Sequence, residues 1–206
     1  MRFLLPYFII ILLVIQLYLK KNTNSVKEKL GKFMEKERES NSVRKKDISS
    51  LEYINIPDTL PYLNTPRESL NDSNPEIAKY INKINSLKDS KILNLTGISN
   101  TDLKMQYGPA NLATLSEYDD NYTELVRTIA ELTHKLIEIN ELDNARPWLE
   151  YSISINTDIK SCYTDLADIY ILAGRPEKVR DLISKARHLN SINKSVIIDN
   201  LTSKLR

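Results

Sequence analysis

The chain has 206 residues, enough for one ordinary domain and some additional segments. Its net charge of +2 hides an imbalance. Residues 1–46 carry eleven Lys/Arg against four Asp/Glu, whereas the remaining residues carry eighteen against twenty-three. The larger part is therefore mildly acidic, which argues against nucleic acid as its partner, because phosphate binding needs a basic face. Cys162 is the only cysteine, so no intramolecular disulfide can form.

The first segment in chain order is apolar. Phe3 to Leu19 has no charge and is interrupted only by Pro6 and Gln16. At about 1.5 Å per residue it reaches across a bilayer core of roughly 30 Å only if flanking side chains snorkel. Tyr7 and Tyr18 lie near its ends, where aromatic rings favour the interface. These features predict a transmembrane anchor over residues 1–20 that contacts membrane lipid. A cleaved signal peptide is the alternative, but the run ends in Tyr18-Leu19-Lys20-Lys21 and lacks a small-residue cleavage pair. Lys20, Lys21, Lys27, Lys29, Lys32, Lys36 and Arg38 follow the run, against Arg2 before it. By the positive-inside rule, the C-terminal part is expected in the cytoplasm; export with the N-terminus inside is the other reading.

Residues 21–46 form a basic juxtamembrane linker. It reads either as a surface attracted to anionic head groups or as a solvated spacer, and a helix over Val26–Glu39 fits its pattern. Residues 47–74 contain Pro57, Pro61 and Pro66, which rule out a long helix. They also carry Leu51, Ile54, Ile56, Leu60, Tyr62 and Leu63, too much apolar surface for a free tether. An extended strap lying on a helical domain is predicted; a disordered linker with a short binding motif is the alternative.

From Pro75 to the C-terminus the apolar spacing is helical, so the fold class is all-α with a helical domain over 75–206. Asn74 caps a helix opening at Pro75, whose stripe is Ile77, Tyr80, Ile81, Ile84 and Leu87. A brief helix near Leu103 and Tyr107 ends at Gly108-Pro109. A longer one runs from Asn111 to about Asn140, and a second continues through Ile155. Further helices span Lys160–Ala173, Glu177–Leu189 and Ser195–Leu205.

These helices repeat. Sliding the chain along itself until Ile129 falls on Tyr163 also superposes Leu132 on Leu166, Leu136 on Tyr170, Ala145 on Val179, Leu149 on Ile183 and Ser152 on Ala186. Asn140 falls on Gly174, and Asn is the next-best residue for a left-handed turn. A period of about 34 residues with two helices per unit resembles the tetratricopeptide repeat. The second unit carries the resemblance best, through Tyr163, Leu166, Ala167, Tyr170, Gly174, Val179, Ile183 and Ala186. The likeness covers about residues 126–192. It departs at Thr133, in a slot usually small, and at Thr157 and Ser191, where the family has its closing proline.

The resemblance implies a groove lined by the first helix of each unit. The residues it assigns are Arg127, His134 and Glu138 in the first unit, and Thr164, Asp168 and Ile171 in the second. Their mixed character implies a protein or peptide segment as partner. No catalytic set is present: Cys162 and the two histidines form no recognisable pairing, and no phosphate loop or metal-binding spacing occurs. Asp119-Asp120 reads as the polar start of a helical arm, and Trp148 as a packed residue between units. No enzyme activity, cofactor or metal is expected. The function predicted is that of a membrane-anchored interaction module; the alternative is a structural membrane component that self-associates as a homo-oligomer.

Overall fold

The computed structural model describes residues 4–205, with the side chains of Leu4, Leu5, Pro6, Ile9, Asn22, Asn24 and Ser25 outside the description. Arg2, used for orientation, and Phe3, the expected start of the anchor, also lie outside the described residues. Among the described residues the fold is all-α, without a strand. The helices are α1 (Leu4–Ser42), α2 (Arg67–Ser73), α3 (Pro75–Ser86), α4 (Asn100–Tyr107), α5 (Leu112–Glu138), α6 (Leu142–Ser154), α7 (Lys160–Leu172), α8 (Glu177–Arg187) and α9 (Lys194–Ser203). The chain divides into two compact units, Met1–Ile48 with Ser99–Leu112, and Ser49–Ile98 with Ala113–Arg206. This differs from the expected single domain over 75–206, because α4 gathers with α1.

In the first unit α1 runs without a break from the apolar segment into the charged one, so anchor and linker are not separate elements. Its described side chains between Ile10 and Lys36 are exposed, including Ile11, Val14, Leu17 and Leu30. Among the described residues, however, no helix is long and apolar enough to cross a membrane. The physical reason is length: Leu4–Leu19 rises about 24 Å before Lys20, short of a core of roughly 30 Å. The last turns of α1 pack on α4. Glu37 accepts from Thr101 Oγ1 at 2.6 Å and pairs with Lys104, and Lys36 Nζ lies 2.5 Å from Asp102. These cations hold the Glu37 and Asp102 carboxyls below their ordinary values. Ser99 caps α4, its Oγ accepting from Asp102 N, and Gly108 closes the helix at φ 86°. A Cβ at Gly108 would stand 2.6 Å from the Arg44 carbonyl oxygen, so the close approach requires glycine.

In the second unit, α3 opens as its sequence predicts, with Asn74 Oδ1 accepting from Ile77 N. Residues 49–66 have no regular element and lie against the helices. Ile54 N donates to Ile92 O at 2.9 Å, Tyr151 Oη donates to Asn55 O at 3.0 Å, and Leu60 and Leu63 are buried. The strap is not extended to its end, since residues 67–73 are helical. Polar strap residues would gain nothing from this burial; each apolar side chain taken from water contributes about 1.5–3 kcal/mol.

All twelve residues paired by the self-superposition are buried, from Ile129 and Tyr163 to Ser152 and Ala186. The helix–helix turns are likewise equivalent. Asn140 and Gly174 adopt φ 60° and φ 69°. Asn140 N bonds to Ile137 O and Glu141 N to Leu136 O; one period on, Gly174 N bonds to Ile171 O and Arg175 N to Tyr170 O. Each turn thus caps the last carbonyls of its helix through a left-handed residue. The period extends further: α7 begins at Lys160 and α9 at Lys194. Thr133 fits its buried slot by donating its hydroxyl to Ala130 O at 3.1 Å. Trp148 is fully buried on α6, just after Pro147, and its indole Nε1 finds no hydrogen-bond partner among the described residues.

Candidate functional site

Helices α5 and α7 carry the six residues assigned to the groove. Arg127 is exposed on α5. Further along the helix, His134 and Glu138 face each other, with His134 Nε2 3.2 Å from Glu138 Oε1. Glu138 also accepts from Lys135 at 3.3 Å, and Lys135 is held more tightly by Glu76 of α3 at 2.5 Å. The Lys135 ammonium is accordingly raised above its ordinary value, chiefly by Glu76. The three α5 residues are thus exposed, with a charge network at the end of the helix.

Two of the α7 residues have partners near the end of the chain. Thr164 Oγ1 lies 3.2 Å from Asn200 Oδ1, and Asp168 lies 2.5 Å from Lys204 Nζ. Both therefore point toward the end of the chain, from α9 onward, and α9 packs beside α7. Asp168 nonetheless keeps an exposed side chain, and Thr164 is half-buried. Ile171, at 37 % exposure, remains open, as does Leu172 beside it.

Sequence reasoning missed Asp165. It sits half-buried on α7, where burial pushes its carboxyl up and the nearby His134 pulls it down. His134 of the first helix pair and Asp165 of the second thus lie close enough to interact. Asp165 escaped notice because the repeat pattern marks apolar positions, and a carboxylate one residue off that pattern reads as surface. Arg127, His134 and Glu138 on α5 and Asp168 and Ile171 on α7 are exposed, and Asp165 is half-buried.

A second polar feature lies among the loops of this unit. Asn94, Thr96, Asn156, Asp158, His188, Asn190 and Ser191 line a cleft of about 300 Å³. Its groups largely satisfy one another: Ser191 Oγ donates to Asp158 Oδ2 at 2.5 Å, Asn94 Nδ2 to Ile155 O at 3.2 Å and Asn190 Nδ2 to Gly97 O at 3.3 Å. The cleft thus reads as a loop-locking network.

The other singled-out residues have structural places. Cys162 is fully buried, 3.7 Å from Ser152 Oγ, and burial pushes its thiol up to about 11. A thiol so protonated is a poor nucleophile at neutral pH. Asp119 accepts from Leu95 N at 2.9 Å, and burial raises its carboxyl. Asp120 is exposed, so the two carboxylates do not share a site. Among the described residues no group of three metal-ligating side chains occurs. No family model, no curated protein and no solved structure matches the chain.

Proposed function

We propose that this chain is a non-catalytic interaction module held at a membrane by α1, and that it captures a protein or peptide segment on the open face of α5 and α7. The observation that carries this reading is the equivalence of the two helix pairs, whose turns at Asn140 and Gly174 make the same hydrogen bonds one period apart. Such pairs present successive first helices side by side, as in tetratricopeptide arrays, and create a surface rather than an enclosed pocket. The face offers a cation at Arg127, carboxylates at Glu138 and Asp165, and an exposed apolar contact at Ile171. That mixture suits a segment with alternating charged and apolar side chains.

The tether supports the same reading. Tyr7, Phe8 and the residues from Ile10 to Val14 are exposed around the helix, and Lys20 and Lys21 follow them. Lysine stems lie along apolar surface while their ammonium groups reach the head-group region, which extends the effective span of a short apolar helix. Confinement to a bilayer raises the effective concentration of the module for partners at that surface. With the lysine-rich flank C-terminal to the anchor, the module faces the cytoplasm.

The test is proximity labelling with full-length protein in its native host, comparing wild type with Arg127→Glu. Asp168 is not used, because its loss also breaks the bond to Lys204. A reproducible set of cytoplasmic neighbours, lost in the variant while Trp148 fluorescence is unchanged, is expected. Neighbours that persist in the variant would remove the groove from the proposal, and extracytoplasmic neighbours would reverse the orientation.

A further inference from the structure

We propose that α1 pairs with α1 of a second copy of this chain as a parallel, two-stranded coiled coil. The seam consists of Leu12, Leu19, Val26, Leu30 and Phe33, with Gln16 and Thr23 at the intervening polar positions. Starting at Leu12 the spacing alternates four and three without a break through Phe33, which is the heptad rule for a helix–helix seam. In the charged half the register is carried by Val26, Leu30 and Phe33, which stand among Lys27, Glu28, Lys29, Lys32 and Glu35. All five apolar members are exposed in the single chain, at 44–57 %.

The seam also has a covered end. Its next two positions are Glu37 and Ser40. Ser40 is fully buried, and Glu37 takes hydrogen bonds from Thr101 and Lys104 of α4. The fold thus already packs a helix on this line of α1 for its last turns and leaves the preceding three heptads uncovered. A second α1 continues the same line toward the N-terminus.

Flanking charge is compatible with the arrangement. In a parallel pair each position preceding the seam faces the position five residues later on the partner. Ile15 then meets Lys20, and Lys29 meets Met34, so no lysine is set against a lysine in these pairs. Glu28 and Glu35 lie on the opposite pole, where Glu28 bonds Lys32 of its own helix at 2.7 Å. Gln16 adds register. Its amide is exposed within an apolar stretch, and across a two-fold axis it meets the partner's amide, which a lipid tail cannot replace. The parallel sense rests on the tethering reading, since both apolar ends then enter the same bilayer. The pairing itself does not depend on the α5–α7 face.

Single cysteines in the full-length chain test this, on a Cys162→Ser background. The seam variants are Val26→Cys, Leu30→Cys and Phe33→Cys; Glu28→Cys and Glu35→Cys are the off-seam controls. Each is oxidised in mild detergent and in phosphatidylcholine vesicles, and molar mass is measured by light scattering. Disulfide-linked dimers at the seam and none at the controls are expected, with twice the chain mass in solution. Leu30→Asp should lower that mass to the monomer while Trp148 fluorescence reports an intact second unit. A monomer mass for the parent chain overturns the proposal, as does equal cross-linking at Glu28→Cys. Seam cysteines shielded by lipid in a monomer also overturn it and assign the stripe to the bilayer. Loss of partner capture by Arg127→Glu leaves the cross-linking pattern unchanged, so the two readings fail separately.

Discussion

Two glycines with similar backbone angles should respond differently to the same methyl group. Gly174 has φ 69° and Gly97 has φ 81°, both in the left-handed region. A Cβ at Gly174 meets nothing within 4 Å, whereas at Gly97 it would stand 2.2 Å from the Asn190 carbonyl oxygen and 2.6 Å from Asn190 Nδ2. For Gly174→Ala only backbone strain enters, about 1–2 kcal/mol, offset by about 0.4–1 kcal/mol from the stiffer unfolded chain. The net loss is about 1 kcal/mol. Gly97→Ala adds overpacking of about 1–3 kcal/mol against backbone that cannot swing aside. The gap between the two variants is therefore about 2 kcal/mol, or about 4–8 °C in Tm for a unit of this size. Trp148, the only tryptophan and fully buried in the same unit, reports the transition by fluorescence in the full-length chain. Equal losses for the two variants would refute the contact argument. A stabilising Gly174→Ala would refute the left-handed turn itself.

Tyr62→Phe removes the hydroxyl that donates to Glu141 and accepts from Asn144 Nδ2 at 2.9 Å. A loss of about 1–2 kcal/mol in urea unfolding is expected, because the strap loses a hydrogen bond to a charged group. Asp165→Asn should raise the urea midpoint at neutral pH. Burial raises the native Asp165 carboxyl, so the charged form opposes folding above the native value and the penalty fades as pH falls through it. The advantage of the variant should therefore shrink on acidification; an advantage that grows would reverse the sign of the argument. Glu37 and Asp102 have the opposite sign, since their carboxyls are lowered by Lys104 and Lys36. Their contribution to α1–α4 docking is present above the ordinary carboxylate values of 4.5 and 3.8 and is lost as pH falls through the lowered native ones. Amide shifts of residues 99–107 should hold steady through pH 4.5 and move only below it. Cys162 should resist a thiol reagent at pH 8 until urea exposes Trp148, and ready labelling of the native chain would contradict its burial.

Much of the fold was legible along the chain because it depends on near neighbours. Apolar side chains at i, i+3 and i+4 drew α3 and α5–α9, and Asn74-Pro75 marked the start of α3. Superposing the chain on itself found twelve core residues and the turn at Asn140, since a left-handed residue is needed wherever two helices reverse with those hydrogen bonds. Helix α1 was only half legible: a change in charge resembles a boundary, but the helical backbone has no reason to stop where only the side chains change. Other features were decided by tertiary structure. The partners of Thr164 and Asp168 lie 36 residues away, and nothing local indicates that Asn200 and Lys204 stand beside them. Asp165 comes near His134 only in the folded chain, and α4 joins α1 through Lys36–Asp102 and Glu37–Lys104, across more than sixty residues. Periodicity is a property of one helix, and the chain carried it alone. Which polar faces become sites depends on which helices cover them, and that follows from the folded packing of apolar faces distant in sequence.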